Sequence, residues 1–159
     1  YHTLKATAAH NQYRWIEDPF SYCFDTIDGY MTVGNGTAGI VYIGVSDTGY
    51  TGSLSDLTTT GIGEPNGNNI TGFGYSSVAP WAFIPDRQAD TNPATYTTYV
   101  TDGHYVTVSN GSVCARRVGG ATGQEDVLGF FYGISNNTQT YTTSSSGSRL
   151  MYIVQGGSQ

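Results

Sequence analysis

Turn-forming residues interrupt this chain so often that no convincing helix of three turns appears in it. Its 159 residues include 22 Gly, 22 Thr, 14 Ser and 9 Asn; the two longest stretches without glycine, 1–28 and 75–102, are broken by Pro19 and by Pro80, Pro85 and Pro93. Each interior glycine costs a helix about 1 kcal/mol relative to alanine. Only the opening Tyr1–Gln12, with Ala6, Ala8 and Ala9, would allow a short helix. Beyond it the apolar stretches are short, rich in Tyr, Val, Ile and Thr, and bounded by Gly, Asn, Asp or Pro, which is the pattern of strands between turns. The candidate strands are Tyr13–Ile16, Phe20–Phe24, Tyr30–Val33, Ile40–Val45, Val78–Ile84, Tyr96–Thr101, Tyr105–Ser109, Ser112–Val118, Val127–Ile134, Gln139–Thr143 and Arg149–Val154. The expected fold is all-β, an antiparallel β-sandwich or a jelly-roll or barrel-like domain spanning 1–159, and not a set of βαβ units. The polar composition does not indicate disorder, because 13 Tyr, 6 Phe and 2 Trp supply the aromatic area that disordered chains lack.

The clearest local signal is Asn110-Gly111, which predicts a type I′ turn joining two strands in register, Ser109 opposite Ser112. That register puts Val106, Val108, Val113 and Ala115 on a core face, and Tyr105, Thr107, Cys114 and Arg116 on a half-exposed one. Asp28–Thr37 shares its order of Asp-Gly, Tyr, Thr-Val and Asn-Gly with Asp102–Ser112, and a second match links Tyr42–Ser46 to Phe131–Ser135. An internal duplication into pseudo-equivalent halves, roughly 13–77 and 78–159, would follow, with equivalent hairpins in each. Gly49–Ser77 lies between the copies and reads as a long loop pinned by Leu54, Leu57, Ile62, Ile70 and Phe73.

The net charge is −6, with five arginines and Lys5 as the only lysine. Such a chain repels polyphosphate, so nucleic acid is excluded as a partner, and polybasic attachment to anionic lipid fails for the same reason. No apolar run approaches the length of a membrane-spanning helix, and no basic segment leads into an apolar one as in a signal peptide, although a mature chain would have lost it. Proteins, a second copy of the chain and neutral or cationic ligands such as glycans remain.

Catalytic motifs are sparse. The sequence has no nucleophile elbow, zinc-protease motif or phosphate loop. His2 and His10 sit in the opening segment; His104 could meet Ser109 or Ser112 across the hairpin, or stand as an ordinary strand-end histidine. The carboxylates available for a glycoside-hydrolase pair are Glu17, Asp18, Asp25, Asp28, Glu64, Glu125 and Asp126. Glu125-Asp126 reads better as a solvated loop pairing with Arg116 or Arg117. Asp25–Gly29 and Asp86–Asp90 each hold two carboxylates but lack an EF-hand order, so Asx turns explain them better than calcium. Cys23 and Cys114 are either two buried thiols or a disulfide contributing roughly 4–5 kcal/mol in the loop-entropy model. With no Cys/His cluster, neither a metal nor another cofactor is implied. Sequons occur at Asn35, Asn69, Asn110 and Asn136, and at Asn35 and Asn110 a turn role accounts for them.

The richest binding stretch is Val78–Tyr99, where Trp81, Tyr96 and Tyr99 offer π faces and Asp86, Arg87 and Asp90 offer polar groups to a ligand. Alternation from Val78 or across Pro80 gives the competing assignment, in which Trp81 and Phe83 are core. Gly/Thr/Ser/Asn/Tyr-rich composition with one lysine is what extracellular and virion-surface β modules tend to show. The expected function is therefore a non-enzymatic surface module: a structural, decoration or adhesion domain of a virion, fibre or cell surface. It would self-associate or bind protein partners, and it would recognise a carbohydrate. A secreted glycoside hydrolase is the alternative.

Overall fold

The computed structural model describes residues 12–13, 16–17, 24–45, 52–66, 70–88, 104–120, 132–141 and 146–147. They form β1 (Gln12–Tyr13), β2 (Ile16–Glu17), β3 (Phe24–Gly34), β4 (Ala38–Ile43), β5 (Thr58–Pro65), β6 (Ile70–Ser76), β7 (Ala79–Gln88), β8 (His104–Val106), β9 (Val113–Val118), β10 (Gly133–Asn137) and β11 (Ser146–Gly147), with one 3-10 turn at Leu54–Asp56. No α-helix occurs among the described residues. The all-β expectation, sandwich or barrel-like, is met.

The main sheet is ordered β5-β4-β3-β9-β10-β8, and β11 pairs with the start of β3. Pairing is antiparallel except for β8 on β10 and β11 on β3, so the sheet is mixed. It curls until its two edges touch, β5 against β8. There the Val106 N–H donates to the Asn66 side-chain oxygen at 3.2 Å. β6 and β7 form a separate antiparallel hairpin. Ala79, Ala82 and Ile84 of β7 pack on Val41 and Ile43 of β4, with Tyr30 and Ile62 alongside. Full burial of an aliphatic side chain such as Val41 or Ile84 contributes about 1.5–3 kcal/mol, so this cluster ties the hairpin to the curled sheet. A second cluster of Phe24, Tyr132 and Ile134, with Tyr105 against it, packs around β3, β10 and β8.

Two regions depart from the sequence expectation. The stretch read as a loop over 49–77 contains β5 and β6. β5 lacks hydrophobic alternation because its buried positions are Thr60 and Glu64, and β6 carries Gly72 and Gly74 between its buried ends, Ile70 and Ser76. The Thr60 hydroxyl is satisfied inside by donating to the Val41 carbonyl at 3.0 Å. The second departure is at Asn110-Gly111. A turn forms, closed by the Ser112 N–H on the Ser109 carbonyl at 3.0 Å with Gly111 at φ 77°. The strands it joins do not pair with each other, however, because β10 lies between β8 and β9. The turn is held instead by the Asn35-Gly36 turn: the Gly34 N–H donates to Ser112, Gly36 to Val108, and Gly111 to the Gly34 carbonyl. Asn35-Gly36 does join paired strands, β3 and β4, and the Asn35 side chain accepts from the Thr37 and Ala38 N–H groups. The two matched stretches are therefore not equivalent hairpins. β9, a central strand, is buried on both faces from Cys114 to Arg117, which removes the half-exposed face expected of it.

Candidate functional site

The site begins with an irregularity in β3. Thr26 pairs with Arg117 and Met31 with Ala115, so four residues, Ile27–Tyr30, stand opposite Arg116 alone. Asp28-Gly29 supplies the turn chemistry: Gly29 adopts φ 74°, and its carbonyl accepts from the Gly44 N–H at 2.9 Å. The bulge throws Ile27 and Asp28 outward, both exposed, and opens a groove against β7. One part is a cleft of about 460 Å³ walled by Trp81 and Ala82 on one side and by Ile27–Tyr30 on the other, completed by Ile43 and Gly44. The adjoining part, about 150 Å³, shares Ile27 and Tyr30 and adds Phe73, Phe83, Pro85, Arg116, Val118 and Tyr132.

Alternation along β7 decides what faces outward. Ala82 and Ile84 point into the core, so Trp81 and Phe83 project away from it, with relative exposures of 66% and 61%. The core assignment for these two aromatics is thus overturned: the inward positions are filled by smaller residues. Tyr75 of β6, also exposed, sets its ring edge-on to Phe83 at 5.7 Å, and Phe73 does the same at 6.3 Å. The outer face of the hairpin is an aromatic surface.

Beneath the groove lies a buried polar cluster. Glu64 of β5 is fully buried and accepts from the Tyr30 hydroxyl at 2.6 Å and from Arg116 Nη1 at 3.1 and 3.2 Å. The Arg116 guanidinium stands 5.7 Å from the centre of the Tyr30 ring. It crosses the backbone of Gly133, where any Cβ would collide with it. His104 Nε2, on the opposite sheet edge, is 3.9 Å from the Glu64 carboxylate and has no hydrogen-bond partner. Burial and then the Arg116 charge push His104 down to about 3, so it is neutral near pH 7 and Arg116 is the cation that pairs Glu64. Burial pushes Glu64 up, against the opposing pull of Arg116 and of the Tyr30 hydroxyl. Burial, with the Glu64 charge behind it, holds Tyr30 well above the ordinary phenol value. All three shifts express one fact, that curling of the sheet encloses a charge pair away from water.

Of the residues singled out as ligand contacts, Trp81 lines the groove. Asp86 and Arg87 lie farther along β7, paired with each other at 3.1 Å, and neither lines it. Asp90, Tyr96 and Tyr99 lie outside the described residues. His104 is too buried to act with Ser112, whose hydroxyl donates to the Ser109 carbonyl instead. Of the carboxylates, Asp28 is the only one lining the groove among the described residues. Asp18, Glu125 and Asp126 lie outside them, and Arg116 takes Glu64 as its partner. Arg117 lies on the other face of β9, over the rings of Phe24 and Tyr141, and donates to Asn136 and Ser146. Cys114 is a buried free thiol, and Cys23 lies outside the described residues.

Ile27 and Tyr30 escaped the sequence reading as site residues, and Asp28 entered it only among the candidate carboxylates. The available signal was Asp-Gly inside a strand pattern, which marks a bulge. Among the described residues no group of three or more His, Cys, Asp or Glu could hold a metal ion, and no helix is long and apolar enough to cross a membrane. No family model, curated protein or solved structure matches the chain.

Proposed function

We propose that the chain is a non-enzymatic surface β module, belonging to a virion, fibre or cell surface, that holds a neutral glycan in the groove between the β3 bulge and β7. The observation that carries this reading is Trp81, a large aromatic kept 66% exposed at the wall of a cleft of about 460 Å³ while the alanine beside it is buried. That volume lies within the range of small-molecule sites. An exposed indole offers a flat apolar face to the C–H face of a sugar, and the Asp28 carboxylate offers an acceptor for hydroxyls. The net charge of −6 and single lysine favour a neutral ligand over a phosphorylated or sulfated one.

The test is a screen of the intact chain against an array of neutral glycans, followed by calorimetry on the hits. Trp81→Ala should weaken binding on the order of tenfold or more and leave the melting temperature nearly unchanged, because the side chain is exposed. Absence of any neutral-glycan binding would overturn the proposal. Release of new reducing ends from a bound glycan would overturn its non-enzymatic part.

A further inference from the structure

Resting on the glycan reading above, we infer that the groove takes an extended chain of at least two sugar rings, with one ring on Trp81 and the next on Phe83. Trp81 and Phe83 are two positions apart on β7 and project from the same face, since Ala82 and Ile84 between and after them are buried. A strand advances about 3.3 Å per residue, so the Cα atoms of the two aromatics stand roughly 7 Å apart along it. That separation lets the two aromatics face different rings of one extended glycan. The clefts beside the two aromatics adjoin, because Ile27 and Tyr30 line both. A site for one ring would need only the larger cleft. The smaller one, of about 150 Å³, lengthens the groove along β7 toward Phe73 and Pro85.

The chemistry at the far end also specifies the ligand. Arg116 lines the smaller cleft, but both Glu64 oxygens already face its Nη1, so its positive charge is countered. A countered guanidinium suits a hydroxyl or ring oxygen better than a carboxylate or sulfate, which would meet Glu64 behind it. The ligand class is therefore a linear, neutral oligosaccharide, its sugar faces stacked on successive aromatics of one strand.

The experiment uses neutral linear glycans graded from one to six rings, printed on one array, with calorimetry across the best series. Affinity should rise by roughly two- to tenfold when the second ring is added. Phe83→Ala should remove that rise while leaving the one-ring affinity in place, and Trp81→Ala should weaken every length. Both residues are exposed, and an unchanged melting temperature confirms that the variants fold. Equal affinity for one ring and for longer chains would overturn the extended site and leave the glycan reading standing. No binding at any length would overturn both. Sedimentation equilibrium of the wild type and both variants covers the other occupant: a dimer that Trp81→Ala or Phe83→Ala converts to monomer would make this face a self-contact and overturn the inference.

Discussion

Glu64→Ala should be among the most damaging single substitutions in the chain, although Glu64 touches no solvent and lines neither cleft of the groove. The wild-type carboxylate compensates Arg116, whose side chain is 6% exposed, and accepts the Tyr30 hydroxyl. Deleting it strands a buried cation, which costs about 3–5 kcal/mol, and orphans a phenol, which costs about 1–3 kcal/mol where no water replaces the acceptor. The two penalties overlap, because relaxation that admits water to one group admits it to the other, so about 3–5 kcal/mol is expected in total. For a domain whose whole stability is about 5–15 kcal/mol, that is a large share. At this chain length it corresponds to a fall in melting temperature of roughly 6–20 °C.

Urea unfolding followed by far-UV circular dichroism measures the change. A triple variant, Tyr30→Phe with Glu64→Leu and Arg116→Met, completes the experiment. It removes charge and hydrogen bonds together, and it should recover most of the lost stability because no uncompensated group remains. If Glu64→Ala costs less than about 1 kcal/mol, Arg116 reaches water or another anion, and the buried pair is not what closes the curled sheet. If the triple variant is less stable than Glu64→Ala, the three groups do not act as one cluster.

Three further outcomes follow from the same interior. His104, held near 3 against an ordinary 6.5, binds fewer protons folded than unfolded, so its contribution is whole above about 6.5 and is lost as pH falls toward 3, at up to about 1.4 kcal/mol per pH unit. Glu64, raised by burial, has the opposite sign, its contribution being present at low pH and lost as pH rises through its raised value; His104→Leu should accordingly flatten the stability profile between pH 6.5 and 3, and an unchanged profile would refute the assignment. Gly34→Ala should cost about 3 kcal/mol or more, because its Cβ would enter the Ser109 carbonyl, whereas Gly36→Ala meets open space and only the strain of φ 91°, about 1 kcal/mol; equal urea midpoints would count against the interlocked turns. Burial pushes the Cys114 thiol up, so alkylation mapped to its peptide should be slow in the native protein and fast in denaturant, and rapid native labelling would contradict its place on β9.

The strands that the sequence announces are those with aliphatic alternation. Ile40–Val45 and Ser112–Val118 are found within two residues as β4 and β9. β5 is illegible by the same criterion, since a strand whose buried positions are Thr60 and Glu64 carries no hydrophobic period to detect, and in β6 Gly72 and Gly74 break the period between the buried ends Ile70 and Ser76. Asn110-Gly111 shows a different limit: the dipeptide specifies a turn, but which strands then pair is a tertiary outcome, here the insertion of β10 between β8 and β9. At the site, Trp81 was recognisable as chemistry but not as surface, because alternation alone does not say which of two faces is buried. Ala82 and Ile84 resolve it: small and aliphatic side chains fit against Val41 and Ile43 where an indole would not. Arg116 reads from the sequence as half-exposed and as a partner for Glu125-Asp126, whereas its observed partner, Glu64, lies 52 residues away in a strand that the pattern conceals.

The molecule places charge inside and aromatic rings outside, and β3 connects the two inversions. Its bulge lets Tyr30 turn its hydroxyl to Glu64 while the same residue lines both clefts of the groove. A floor of Leu or Phe at this position would be held by packing alone, against clefts that leave one side of it without neighbours. Tyr30 is held instead by a 2.6 Å hydrogen bond to a fully buried carboxylate and by a guanidinium 5.7 Å from its ring centre. The groove therefore keeps its shape without a ligand to fill it, and a preformed floor spares binding the cost of ordering a side chain, about 0.5–1.5 kcal/mol for a rotamer-rich residue. The buried pair is a poor way to gain stability compared with aliphatic packing. It is a good way to fix one ring at the boundary between a core and a cleft, because its geometry is directional where dispersion is not.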